Sequence, residues 1–264
     1  MDLHMKDKVV VITGGTAGLG LATALEFGAE GCKLAICGRT AKRMESGLAQ
    51  LKAAGYEVYS EQVDVTDLGA ISKFVDNVCA HYGHIDIWVN NAATNLLKPQ
   101  LETTLEDWNN VLDTNLRSYF FASQYAINGM VARGIKGVVV NVSSYASILP
   151  NLHQNLYALT KSAINSMTRT FAAEVACHGI RVLAIAPGWI KTERAYETIG
   201  NTNMDLLLSE VSLQRMAEPE EIAKPIVFLA SDASGYITGP YLEVSGGKFS
   251  VQRPWVGWDQ EAKH

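Results

Sequence analysis

Short β-branched runs alternate with longer stretches of helical periodicity along this chain of 264 residues, and no internal repeat or low-complexity segment interrupts them. Strand-length runs fall at Val9 to Thr13, Lys33 to Cys37, Val58 to Val63, Ile85 to Val89, Gly137 to Val142, Arg181 to Ala186 and Tyr241 to Val244. Helical patterns fill the intervals. One follows the glycines after Thr13, another stops at Gly55, and a third runs from Thr66-Asp67 to about Tyr82. A single long helix is predicted from Thr104 to about Ala132, another starts near Leu156, and a last one runs from Pro219 through Ala230. This alternation argues for one α/β domain over 1–264, doubly wound, with a mostly parallel seven-stranded sheet and helices on both faces. Residues 193–217, with the cluster Met204 to Leu208, suit a lid over a pocket, and 249–264 form a C-terminal tail.

Composition narrows the class of protein. The hydrophobic share of 48% and charged share of 19% are those of an ordinary globular protein. A net charge of -5 and a pI near 5.7 give no electrostatic footprint for nucleic acid or an anionic membrane. The longest apolar runs are far too short to span a bilayer. MDLHMKDK leads straight into the first strand, which leaves no room for a signal peptide. Cys32, Cys37, Cys79 and Cys177 are scattered without a C-x-x-C pair, the usage of a reduced, cytoplasmic protein. His81 and His84 flank Gly83 where a helix should end, so they read as cationic side chains at a helix terminus rather than metal ligands.

The chemistry gathers at the carboxyl ends of the predicted strands, where open α/β sheets bind ligands. After Thr13 comes Gly14-Gly15-Thr16-Ala17-Gly18-Leu19-Gly20 and then a helix. A glycine-rich turn in that context lets the backbone approach a pyrophosphate and aims helix N-terminal N–H groups at it. The second strand ends at Gly38-Arg39. An arginine with no acidic neighbour suits the extra phosphate of NADP, where a carboxylate would favour NAD. Asn90-Asn91-Ala92-Ala93 follows the fourth strand, and the asparagines can pin that loop to backbone groups. Asn115 stands in an otherwise apolar stretch, so it needs either a structural hydrogen bond or a place beside the site. Ser143 and Ser144 end the fifth strand. Ser144 lies thirteen residues before Tyr157, and Lys161 lies four after it on the same helical face. An ammonium beside a tyrosine would bring the phenol toward a working pKa.

Together these residues resemble the compact branch of the short-chain dehydrogenase/reductases over about residues 6–248. Thr13 to Gly20 is similar to that family's T-G-x-x-x-G-x-G turn, and Asn90-Asn91-Ala92-Ala93 to its N-N-A-G. The resemblance implies a Rossmann-like fold and reversible hydride transfer between NADP(H), with NAD(H) possible, and a carbonyl/secondary alcohol pair. It implies Asn115, Ser144, Tyr157 and Lys161 as the catalytic set. Tyr157 would move the proton, Ser144 would hold the reacting oxygen, Lys161 would lower the Tyr157 pKa and hold the nicotinamide ribose, and Asn115 would keep a relay water. The cofactor would lie along Gly14, Thr16, Gly18, Leu19, Gly20, Arg39, Asp64, Val65, Asn91, Ala92, Pro187, Gly188, Ile190 and Thr192, besides Tyr157 and Lys161. Three positions depart from the family pattern. Ala93 replaces a glycine, Ser245 replaces an aspartate before Gly246-Gly247, and Ala17 stands where many NADP-specific members carry a base. Arg39 is therefore the main support for NADP.

By position, Asn95, Ser144, Tyr145, Asn151, His153, Trp189, Tyr196 and Leu207 are candidate substrate contacts. None of them forms an arginine clamp, which points to a neutral or modestly polar ketone, alcohol or polyol, with a 3-oxoacyl thioester as the alternative. A nucleotide-sensing module without activity sits poorly with an intact Asn, Ser, Tyr and Lys set. The longer dehydratase and epimerase branch has a different glycine spacing. The family further implies a homotetramer, in which Trp255 and Trp258 of the tail would pack on a neighbouring subunit.

Overall fold

The computed structural model describes residues 2–248 and 250. The tail tryptophans Trp255 and Trp258 lie outside the described residues. In chain order the elements begin β1 (Val9–Thr13), α1 (Gly18–Ala29), β2 (Lys33–Gly38), α2 (Ala41–Ala53), β3 (Val58–Gln62), α3 (Leu68–Tyr82) and β4 (Ile87–Asn90). They continue with α4 (Leu105–Leu112), α5 (Ser118–Ala132), β5 (Val138–Val142), α6 (Asn155–Val175) and β6 (Arg181–Pro187). The last are α7 (Glu193–Ile199), α8 (Met204–Leu208), α9 (Pro219–Ala230) and β7 (Tyr241–Val244).

The strands form one sheet in the order β3-β2-β1-β4-β5-β6-β7, and every pairing among them is parallel. Successive side chains of a strand face opposite sides. Val9 and Val11 accordingly enter a core with Phe74 of α3, Tyr119 of α5 and Ile164 of α6. Val10 and Ile12 enter the other core, with Phe27 of α1, Leu51 of α2 and Ile222 of α9. Both faces are covered, which is why β1 is apolar at every position but its last. Helices α7 and α8 contribute little to either core: in α7 only Ile199 is buried, and in α8 no residue is.

The helix expected from Thr104 to Ala132 is interrupted. Thr104 caps α4 in a capping box with Asp107, and then the backbone widens over Asp113–Arg117 into a π-type turn. There the Ser118 N–H bonds to the Asp113 carbonyl, five residues back. The cause is Asn115, which is fully buried. Its Oδ1 accepts from the Thr94 N–H at 2.7 Å, and its Nδ2 donates to the Thr94 carbonyl at 2.9 Å and to Thr160 Oγ1 at 3.2 Å. The wider turn satisfies a buried amide that a straight helix would leave without partners.

The order of strands reverses between β1 and β4, and their carboxyl ends open a crevice there. A buried polar chain stiffens the sheet behind it. The Trp88 indole donates to Asn90 Oδ1 at 2.8 Å, Asn90 Nδ2 donates to Ser123 Oγ and Asn141 Oδ1, and Asn141 Nδ2 donates to Thr168 Oγ1.

Candidate active site

The crevice is a cleft of about 390 Å³. One wall is the glycine turn. Gly14 and Gly18 have φ of 65° and 52°, and a Cβ on Gly20 would stand 2.2 Å from the Gly14 carbonyl oxygen. Asn91 locks this turn: its Nδ2 donates to the carbonyls of Thr13 at 3.0 Å and Gly14 at 3.2 Å. The N–H groups of Asn91 and Ala92 donate in turn to Thr13 Oγ1. The N-terminus of α1 has no side-chain cap and no acidic residue in its first turn. Uncapped N–H groups and the positive end of a helix dipole beside an open glycine turn fit a phosphate. These residues therefore suit a dinucleotide.

One end of the cleft is bordered by Thr16, Gly38, Arg39, Thr40, Arg43, Asp64 and Val65. Gly38 packs on Thr16, and Asp64 is held by the Thr66 N–H and hydroxyl. Arg39 is exposed, with Nη1 3.9 Å from Asp64 Oδ2, and Arg43 Nη2 is 3.1 Å from Glu193 Oε2 of the lid. Sequence reading passed over Arg43, although its spacing of four from Arg39 was available as a signal. Pro187, Gly188, Ile190 and Thr192 line the opposite wall, and Leu19, Gly20 and Ala92 the floor. Thr192 Oγ1 accepts from the Ala195 N–H and so caps α7.

At the other end lie Ser144, Tyr157 and Lys161. Ser143 turns away, donating from Oγ to the Lys161 carbonyl at 3.2 Å. Ser144 faces the tyrosine. Burial raises the Tyr157 pKa, and hydrogen bonding with Ser144 and then the charge of Arg194 lower it again. Lys161 does not supply the expected downward pull. Its Nζ donates to the Val142 carbonyl at 2.7 Å and stands 5.5 Å from the centre of the Tyr157 ring. Desolvation, aided by Arg194, has brought its own pKa down to about 7. The Nζ is turned onto a backbone carbonyl rather than onto the phenol. Asn115 makes the structural hydrogen bonds that a buried amide requires. Both donors of its amide are taken by Thr94 and Thr160, and it does not line the cleft, so it has no amide hydrogen left for a water.

Of the substrate candidates, Asn95, Ser144, Tyr145 and Trp189 line the cleft, whereas Asn151, His153, Tyr196 and Leu207 do not. Asn151 reaches it through Tyr145, whose hydroxyl its amide meets, and through Gln154, to whose Oε1 its Nδ2 donates at 2.9 Å. The Tyr145 and Trp189 rings lie 5.6 Å apart, and Lys248 Nζ stands 5.1 Å from the Tyr145 ring. Gln154 and Arg194 line the cleft as well and were not anticipated. Nothing local in the sequence marks Arg194, because only the placement of α7 carries it there.

The family model described as enoyl-(acyl carrier protein) reductase matches residues 14–248. With this sheet and cleft, the match defines an oxidoreductase acting on hydroxyl and carbonyl groups: the chain belongs to the short-chain dehydrogenase/reductase family, whose members use NAD(P) cofactors. It is 35% identical over 245 residues to the 3-oxoacyl-(acyl-carrier-protein) reductase FabG of Thermotoga maritima, covering 93% of this chain and 99% of that one. It is 34% identical to the 2-dehydro-3-deoxy-D-gluconate 5-dehydrogenase of Escherichia coli, covering 92% and 96%. A short-chain type dehydrogenase/reductase of Mycobacterium marinum, known from its crystal structure, superposes with a TM-score of 0.89 at 28% identity, covering 95% of this chain and 98% of that one. Among the described residues no helix is long and apolar enough to cross a membrane.

Proposed function

We propose that this chain is an NADP(H)-linked oxidoreductase interconverting a ketone and a secondary alcohol on a small molecule, with Tyr157 as general acid and base. One observation carries the reading. Ser144 and Tyr157 meet at the carboxyl edge of the sheet, in the same cleft as the uncapped N-terminus of α1. When bound, the nicotinamide supplies the hydride in reduction and accepts it in oxidation. Ser144 donates to the reacting oxygen and fixes its position. Tyr157 gives that oxygen its phenolic proton as negative charge develops, and a preorganised donor at such a point is worth a few kcal/mol. Burial keeps the phenol protonated at neutral pH, which suits a proton donor in reduction. In oxidation the phenolate takes the proton back, steadied by Ser144 and Arg194.

Lys161 holds the ribose hydroxyls and, with a pKa of about 7, passes protons between Tyr157 and water. Asn115 acts as a positioning residue, fixing Thr94 and therefore Asn95 at the mouth of the cleft. Arg39 and Arg43 receive the 2′-phosphate that distinguishes NADP, Asp64 and Val65 border the adenine, and Thr192 meets the carboxamide. A second reading, a 3-oxoacyl thioester reductase, draws on the name of the Thermotoga relative. The enzyme acts in the cytoplasm as a homotetramer, and exposed Trp108 of α4 and Phe120 of α5 support self-association.

The test is a screen of ketones, polyols and acyl thioesters with both cofactors, followed by the absorbance of the reduced nicotinamide, for the wild type and Tyr157→Phe. The expected outcome is turnover favouring NADP(H), which the variant lowers by at least about a thousandfold while binding NADPH within a few-fold. A variant that keeps a tenth of the activity removes the acid/base assignment. A preference for NAD(H) removes the role of Arg39 and Arg43.

A further inference from the structure

The reacting end of the cleft holds two basic side chains, Lys161 and Arg194, and of the carboxylates only Glu197 of α7 acts on the guanidinium. Lys161 is buried and bonded only to a carbonyl. Arg194 is exposed by area, yet it lines the cleft, and its Nη1 donates to the Ala93 carbonyl. Among the described residues neither makes an ion pair. Loss of surrounding water lowers the Arg194 pKa, and the charges acting on it are, in order, those of Tyr157, Arg43, Glu197 and Arg39. The guanidinium therefore belongs to the Tyr157 end of the cleft. The phosphates of a dinucleotide already have counter-charges elsewhere: the α1 N-terminus for the pyrophosphate, and Arg39 with Arg43 for the 2′-phosphate. A nicotinamide ring is neutral when reduced and positive when oxidised, so it cannot offset two cations. The same end also holds two buried polar atoms with no partner, Trp189 Nε1 and Asn95 Oδ1.

We propose that Arg194 selects a substrate bearing a carboxylate, so that the enzyme acts on hydroxylated keto acids and hydroxy acids. The inference rests on the reading of the cleft as a hydride-transfer site, and it replaces the neutral ketone that sequence position alone suggested. A planar guanidinium offers a carboxylate two parallel N–H donors. On reaching the substrate it exchanges the Ala93 carbonyl for a charged partner, and the carboxylate offsets the positive charge around Tyr157.

The probes are polyhydroxylated keto acids paired with their methyl esters, assayed with NADPH on the wild type, Arg194→Met and Arg194→Lys, together with direct titration of NADPH. The wild type should prefer acid to ester in kcat/KM by on the order of 10- to 100-fold. Arg194→Met should collapse that ratio toward one, mainly through the KM of the acids, while the Kd for NADPH moves less than about threefold. Arg194→Lys, which keeps the charge without the fork, should hold an intermediate ratio, and it carries the test if the methionine variant fails to fold. Three outcomes overturn the proposal. Esters turned over as well as acids by the wild type would make the substrate neutral and leave the hydride-transfer reading standing. An unchanged ratio with NADPH bound at least tenfold more weakly would assign Arg194 to the cofactor. No turnover of any carbonyl with either cofactor would remove the underlying reading as well.

Discussion

Lys161 shows how one side chain can hold two properties that conflict elsewhere in the molecule. A lysine this deeply buried gives up most of its hydration, and its pKa falls from 10.5 to about 7. Surface lysines keep their charge far above physiological pH; this one changes charge within it. Below about 7 it carries the ammonium that an anionic dinucleotide favours, and above about 7 it is neutral. The Kd for NADPH should therefore rise as pH climbs through that value and level off once the proton is gone. Titrating NADPH binding from pH 6 to about 9 should show the step in the wild type, and Lys161→Met should flatten it. A step of equal size in both proteins would mean that another group carries the titration. Spacing alone placed Lys161 next to Tyr157 correctly. It could not show which neighbour moves which pKa, because that depends on where the Nζ turns, and a carbonyl four residues past the start of β5 decides it.

At the scale of elements, the glycine turn and the helix behind it were legible because their constraint is local. Only glycine at Gly20 lets α1 start against the Gly14 carbonyl. Gly20→Ala should push the turn off β1, raise the Kd for NADPH by more than about tenfold and cost roughly 1–3 kcal/mol of stability. Urea unfolding with NADPH titration measures both. If the variant binds NADPH as the wild type does, the turn does not cradle the phosphates. The strands were equally plain, with boundaries within two residues, since apolar runs of that length have few other uses. The π-type turn at Asn115 was not legible. A polar residue in a helical pattern signals an exception without saying which one, and the partners that decide it, Thr94 and Thr160, are remote in sequence. Arg194 was hidden for the same reason: its neighbours in the cleft, Ala93 in the loop after β4 and Tyr157 of α6, are remote in sequence.

On the scale of the whole molecule, the end of the sheet away from the cleft has its own tie. Arg181, at the start of β6, donates from Nη1 to the carbonyls of Leu229, Ser234 and Ile237 and to Ser234 Oγ, and from Nη2 to the Ser231 carbonyl. It closes the C-terminal end of α9, the helix that packs on α1. Arg181→Met should lower global stability by about 2–4 kcal/mol, seen in urea melts, and leave KM for substrate unchanged. An altered KM would show that the two ends of the sheet are coupled.

Helices α7 and α8 stand apart from this frame. With Ile199 as the one buried residue of α7 and none in α8, they draw almost nothing from the cores that hold the sheet together. Mutations there are released from the fold's requirements in a way that mutations in β1 or α6 are not. Substitutions at exposed positions of α7 and α8, Arg194 among them, can therefore accumulate in a lineage without disturbing the packing that holds the sheet together.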